Sequence, residues 1–184
     1  MRSLLALLTL LALAYLATDR ADASSSHQEE MARAATAFLD SLGPAERQAA
    51  CFAFEDAERT NWHFIPRERK GLALGGLNDL QRSAARALLA SSLGPRGLEK
   101  VDGVIALEAI LFQLESSPGR PAEHRDPGRY YLSIFGSPSP PSPWGWRLEG
   151  HHLALNFCAL TGELVAHTPI FFGANPARVA AGER

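Results

Sequence analysis

Cysteine is nearly absent from this chain: Cys51 and Cys158 are the only two among 184 residues. Two thiols so far apart are no disulfide framework, and a core must hold the fold together. They either pair, as an oxidising compartment would permit, or stay as two buried apolar thiols. Also missing is a basic stripe: 18 Lys and Arg against 20 Asp and Glu give a formal charge of −2, with the arginines scattered among acids. Nucleic acid is thereby excluded as an expected partner. No glycine-rich phosphate loop follows any expected strand, so no nucleotide cofactor is expected. Nor is there an H-E-x-x-H helix or a G-x-S-x-G elbow. Long apolar runs are missing too, with one exception at the start.

That exception, Leu4 to Ala17, is interrupted only by Thr9 and preceded by Arg2. It is shorter than the roughly 20 residues a membrane span needs. Ala21-Asp22-Ala23 places small residues where signal peptidase reads. The expectation is a signal peptide over 1–23, no transmembrane segment after its removal, and a secreted or periplasmic protein. An uncleaved anchor is the lesser reading. Residues 24–184 then have the length of a single domain able to enclose its own core.

Met31, Ala35, Phe38, Leu39 and Leu42 form one helical stripe that Gly43-Pro44 ends. Pro44 opens a second helix expected to reach about Phe52. "TNWHFIP" alternates like a short strand up to Pro66. Asn78 and Gln81 make a capping pair for a helix through Leu80, Ala84, Ala87 and Leu88. Pro95 opens another, to about Ser116, whose apolar face of Leu98, Val101, Val104, Ile105, Leu107, Leu111 and Phe112 contains Glu108. A carboxylate on that face must take up a proton or find an Arg, His, metal ion or backbone donor.

Ser116 to Arg129 reads as a surface connection, Tyr130 to Phe135 as a strand, and "GSPSPPSP" as an exposed loop. In "WGWRLEGHHLALNF" strict alternation would mix tryptophans with polar groups. A bulge at Gly150 restores the phase. Trp144, Trp146, Leu148, His151, Leu153, Leu155 and Phe157 then share one face, and Arg147, Glu149, His152 and Asn156 the other. Thr161-Gly162 reverses the chain, and Glu163 to Phe172 returns as a hairpin partner. Helices before strands predict an α+β fold, N-terminal helices packed on a C-terminal antiparallel β-sheet.

The phrases "ERTNWHFIPRERKGL", "RDPGRYYLSIFG", "WGWRLEGHHLALNF" and "TPIFFGANPA" occur in this order. Together they resemble the exported bacterial family catalogued as domain of unknown function 3500. The resemblance covers most of the chain after residue 23 and implies no established activity. Members of that family look longer beyond "GANPA", so residues 24–184 are expected to be a domain truncated at its C-terminal end.

Two chemistries suit the polar residues. A divalent metal could be held by His63, Glu149, His151 or His152, and His167, since imidazole and carboxylate suit zinc. A metal-free, hydrolase-like site could use His152 as base, with Glu149 or Glu108 orienting it and His63 nearby. Arg67, Arg69 and Arg147 would hold an anionic group, and Asn61, Trp62 and Asn156 would complete the contacts with a small-molecule or polymeric ligand. The alternative is a non-catalytic ligand-binding or envelope-associated domain in which Trp62, Trp144 and Trp146 form an apolar floor beside arginines. Tryptophans at strand period can equally be core.

Overall fold

The computed structural model describes residues 27–139, 142–160 and 164–179. The expected signal peptide and the Thr161-Gly162 reversal lie outside them. Helix α1 (27–40) turns Met31, Ala35, Phe38 and Leu39 inward, and Leu42 follows them into the core. Helix α2 (Pro44–Ala50) opens on its proline but ends before the expected Phe52. Cys51–Phe52 instead extend as strand β1, because sheet pairing offers their backbone partners that the helix end lacks.

Helix α3 (Asp79–Ala90) is capped as expected: Asn78 Oδ1 accepts from Gln81 N, and Gln81 Oε1 accepts from Asn78 N, both at 3.0 Å. Gln81 also donates to Glu46 of α2 at 2.7 Å. This third bond accompanies a turn of the helix face. Ala85, Leu88 and Leu89 are buried beside Gln81, while Leu80 is 71% exposed. Helix α4 (Pro95–Glu115) buries Val101, Glu108 and Leu111 and leaves Phe112 exposed. Among the described residues, no helix is long and apolar enough to cross a membrane.

Six further strands are β2 (Leu72–Ala73), β3 (Tyr131–Gly136), β4 (Trp144–Gly150), β5 (Leu153–Leu160), β6 (Leu164–Ala166) and β7 (Ile170–Phe172). The sheet runs β1-β3-β4-β5-β6, with β2 also on β3 and β7 also on β5. Every pairing is antiparallel except β1 with β3. Helices come before most strands, so the fold is α+β. In β3 to β5, Leu132, Ile134, Trp144, Trp146, Leu148, Leu153, Leu155 and Phe157 share one face and join the helices in a single core. The other face carries Ser133, Arg147, Glu149 and Asn156.

Two local expectations are corrected. Gly150 is not a bulge within one long strand: it pairs with Leu153 across a two-residue turn, His151-His152, so β4 and β5 are a hairpin. A hairpin and a bulge restore the same phase, and the expected faces therefore hold for the strand residues. The turn places His152 at φ 55° and takes both histidines off the strand faces. Gly150 allows the Tyr130 ring to pack against it, since a Cβ there would lie 2.3 Å from Tyr130 Cδ1. "TNWHFIP" is not a strand either. It crosses the polar face of the sheet with its backbone satisfied from below: Glu149 Oε2 accepts from His63 N at 2.7 Å, and Phe64 O accepts from His152 N at 2.7 Å.

Candidate functional site

The polar residues of the chain gather in two places. The first lies between the sheet and the crossing segment 58–69. Arg147 is wholly buried and donates to Glu58 O and Glu58 Oε1, both at 2.6 Å, with Glu149 Oε1 2.9 Å away. Glu149 also faces Arg69 Nε at 3.7 Å. Burial holds the Glu149 carboxyl above the usual carboxylate range, against the pull of Arg147. These groups neutralise one another and are closed to a ligand.

Arg69 joins this network to the second place. Its guanidinium donates to the carbonyls of Arg67 (2.9 Å), His63 (3.2 Å), Ile65 and Gly150 (3.1 Å). One side chain therefore shapes the loop. Replacing Arg69 with Ala should free the loop, speeding amide exchange over residues 61–69 by about tenfold or more, as lost charge-assisted bonds imply. Arg69→Lys should not restore protection, because an ammonium lacks the planar fork that reaches several carbonyls at once. Unchanged exchange would mean that the apolar contacts hold the loop.

The second place is a cavity of about 240 Å³ beneath that loop. Its walls include Arg67, Arg69 and Arg129 together with Glu68 and Asp126, Arg129 being paired with Glu68 at 2.6 Å, and Glu108, Tyr130 and His151 line it from the helix and turn side. Glu108, 2% exposed, is brought here by α4, and Glu108 Oε1 is hydrogen-bonded to His151 Nδ1. Arg125 Nη1 faces the same imidazole, 3.1 Å from Nδ1 and 3.3 Å from Nε2, and Arg125 is paired with Glu115 at 2.9 Å. Tyr130 donates to His151 O at 3.0 Å, fixing the turn.

Burial above all, and then the Arg125 guanidinium, lowers the His151 pKa to about 4. The ring is therefore neutral at neutral pH. Burial also holds the Glu108 carboxyl above the usual carboxylate range, with Arg125 pulling the other way. The Tyr130 phenol is pushed well up by burial and by Glu108. Among the described residues, Glu108 Oε2 is buried without a hydrogen-bond partner, Arg125 Nη1 standing 4.0 Å off. Arg67 has no carboxylate partner there and donates to His63 Nε2 at 2.7 Å.

Of the residues singled out in the sequence, Glu108, His151, Arg67 and Arg69 meet at this cavity. Glu149 and Arg147 lie in the closed network. His63 sits between Arg67 and Asn61, whose Oδ1 is 3.1 Å from its Nε2. Asn156 donates to Pro169 O at 2.7 Å. His152, expected on the face of Arg147 and Glu149, instead stands in the turn against the His151 ring, with 4.3 Å between ring centroids. Trp144 and Trp146 are core residues and offer no floor to a ligand, whereas Trp62 is half-buried beside Phe64. Cys51 and Cys158 are free thiols. No three His, Cys, Asp or Glu side chains among the described residues are placed to hold a metal ion, so the expected set from His63 to His167 does not converge.

Sequence reasoning passed over His151 as the partner, together with Arg125, Arg129 and Tyr130. A signal for the first existed: equal apolar alternation on both sides of Gly150-His151-His152 fits a two-residue hairpin as well as a bulge. Arg125 and Arg129 sat in an aperiodic stretch where spacing carries no information. Comparisons with curated proteins and with solved structures return no match. The family model DUF3500, described as "Protein of unknown function", matches residues 24–184, and the chain belongs to that family.

Proposed function

We propose that the arginine-lined cavity is the active site of a metal-free, hydrolase-like enzyme acting on small molecules that carry an anionic group. The observation that carries this reading is Glu108 Oε2, a carboxylate oxygen buried without a partner beside a neutral imidazole and at the cavity. Buried acceptors are normally satisfied, and one left open at a cavity is a place for a ligand or a water. In the reaction, Glu108 accepts from His151 Nδ1–H and so leaves Nε2 as an acceptor, with Arg125 Nη1, 3.3 Å from it, giving way to the water. The imidazole takes a proton from water as the water oxygen bonds to the substrate's acyl carbon. It returns that proton to the leaving group as the carbon–heteroatom bond breaks. Arg67, which has no carboxylate partner among the described residues, holds the anion, while Arg129 is paired with Glu68 at 2.6 Å.

The apolar run Leu4 to Ala17 followed by Ala21-Asp22-Ala23 supports the further proposal that residues 1–23 are a signal peptide and that the protein works outside the cytoplasm, secreted or periplasmic. The test is turnover of nitrophenyl hemisuccinate against neutral nitrophenyl acetate. The anionic ester should be preferred, and Arg67→Ala should raise its KM about tenfold or more without moving the neutral control. Equal rates for the two esters, or none above background, would sink the proposal.

A further inference from the structure

Outside the cavity, an apolar ridge stands on the same rim. Phe64 is 38% exposed and Ile65 51%. Phe64 stacks on Phe171 with ring centroids 4.3 Å apart, and Trp62 stands 6.3 Å from Phe64. Three segments build it: the crossing loop, the histidine turn and β7. His152 N donates to Phe64 O at 2.7 Å, and Gly173 N donates to His152 O at 2.8 Å. Phe64 and Ile65, kept in water by such a framework, are more than scattered surface residues.

The ridge and the cavity are continuous. Ile65 and Arg67 flank Pro66, itself a cavity residue. The imidazole of His152 lies against His151 on one side and meets Phe171 edge-on, 6.2 Å between centroids, on the other. At that seam His152 Nδ1 is buried without a partner among the described residues. Arg67, without a carboxylate partner among the described residues, thus stands at one end, the histidine turn in the middle, and exposed Phe64 and Ile65 beside half-buried Phe171 at the other end.

We infer that the ligand of this site is an amphiphilic anion: a carboxylate or phosphate head for the arginines, joined through a polar link to an aromatic or aliphatic tail that lies on Phe64, Ile65 and Phe171. This rests on the acid–base reading of the cavity and adds the substrate class. The link, an ester or amide, lies over the histidine turn, where His151 reaches it. Charge complementarity fixes the orientation, because an apolar tail has no partner among the arginines and an anion none on the ridge.

The test is calorimetric titration of the full chain with phenylbutyrate, butyrate, phenyl phosphate and phenylbutanol. Phenylbutyrate should bind at least about tenfold tighter than butyrate, as burial of a phenyl ring implies. Phe64→Ser, at an exposed position, should erase that ratio by lowering phenylbutyrate affinity to that of butyrate. Arg67→Ala should weaken both carboxylates. Tighter binding of phenyl phosphate than of phenylbutyrate would assign the head as phosphate, and the reverse as carboxylate. If phenylbutyrate and butyrate bind alike, or if Phe64→Ser leaves their ratio intact, the tail inference fails while the anion site stands. If no anion binds, the anion site fails and the inference falls with it.

Discussion

Replacing Arg147 with Met should lower the unfolding free energy by about 3–5 kcal/mol, the usual cost of leaving buried charges without their partner. For a domain of this size that is a fall in melting temperature of roughly 10 °C. The loss is large because Arg147 is wholly buried and neutralises two carboxylates, Glu58 at 2.6 Å and Glu149 at 2.9 Å. Removing it leaves buried Glu58 without a cationic partner and Glu149 with only the more distant Arg69, at 3.7 Å. A second substitution should restore part of the loss. Glu149→Gln added to Arg147→Met removes one of the stranded charges, so the double variant should be more stable than Arg147→Met alone. Denaturant unfolding of the single and double variants measures this coupling. A loss below about 1 kcal/mol would mean that the network is solvated and worth no more than a surface pair.

The other large effect concerns the dyad. Glu108→Gln and His151→Gln should each reduce kcat by about 10²–10⁴, the range that positioned proton transfer supplies. The double variant should be little worse than either single one, since the two act as a unit. The pH dependence follows from the lowered His151 pKa, about 4 in the free protein. The imidazole is a base only above that value. Its Glu108 partner accepts only while ionised, and that carboxyl is held above the usual carboxylate range, so kcat/KM should already fall at a pH above the His151 value. A bound anion offsets the field of Arg125 and the cavity arginines, which raises the ring's proton affinity in the complex. The acid limb of kcat should therefore lie at higher pH than that of kcat/KM, and coincident limbs would contradict an anion beside His151.

Stability carries the same signature. His151 binds its proton less readily folded than unfolded, so between pH 6.5 and about 4 the unfolded chain takes up more protons. Its contribution is present above the unfolded value and is lost as pH falls through that window. Raised carboxyls act in the opposite sense: the Glu108 contribution is lost as pH rises through its folded value. His151→Gln should flatten the acid decline of melting temperature across that window.

Much of the fold can be read along the chain because its cues are local. Pro44 and Pro95 open helices, Asn78 and Gln81 cap one, and the alternation of Trp144 to Phe157 sorts side chains to two faces. The failures share a cause. "TNWHFIP" has the period of a strand, yet its backbone groups found charged side chains and a turn instead of a neighbouring strand. Leu80 belongs to an apolar stripe by spacing, but the bond from Gln81 to Glu46 accompanies another orientation of the helix.

For the candidate site, the sequence by itself determined the need: a carboxylate within the apolar stripe of α4 cannot stay unpaired in a core. Which group would meet it was a matter of tertiary structure. The imidazole that does so is 43 residues away, on a turn whose length local alternation leaves ambiguous. Arg125 arrives from a stretch without period, and Arg147 and Glu149, neighbours of that turn in sequence, point under the loop and spend their charge on each other. Partner choice for a buried charge depends on distance and dielectric in three dimensions, and neither is written in the spacing of residues along a chain.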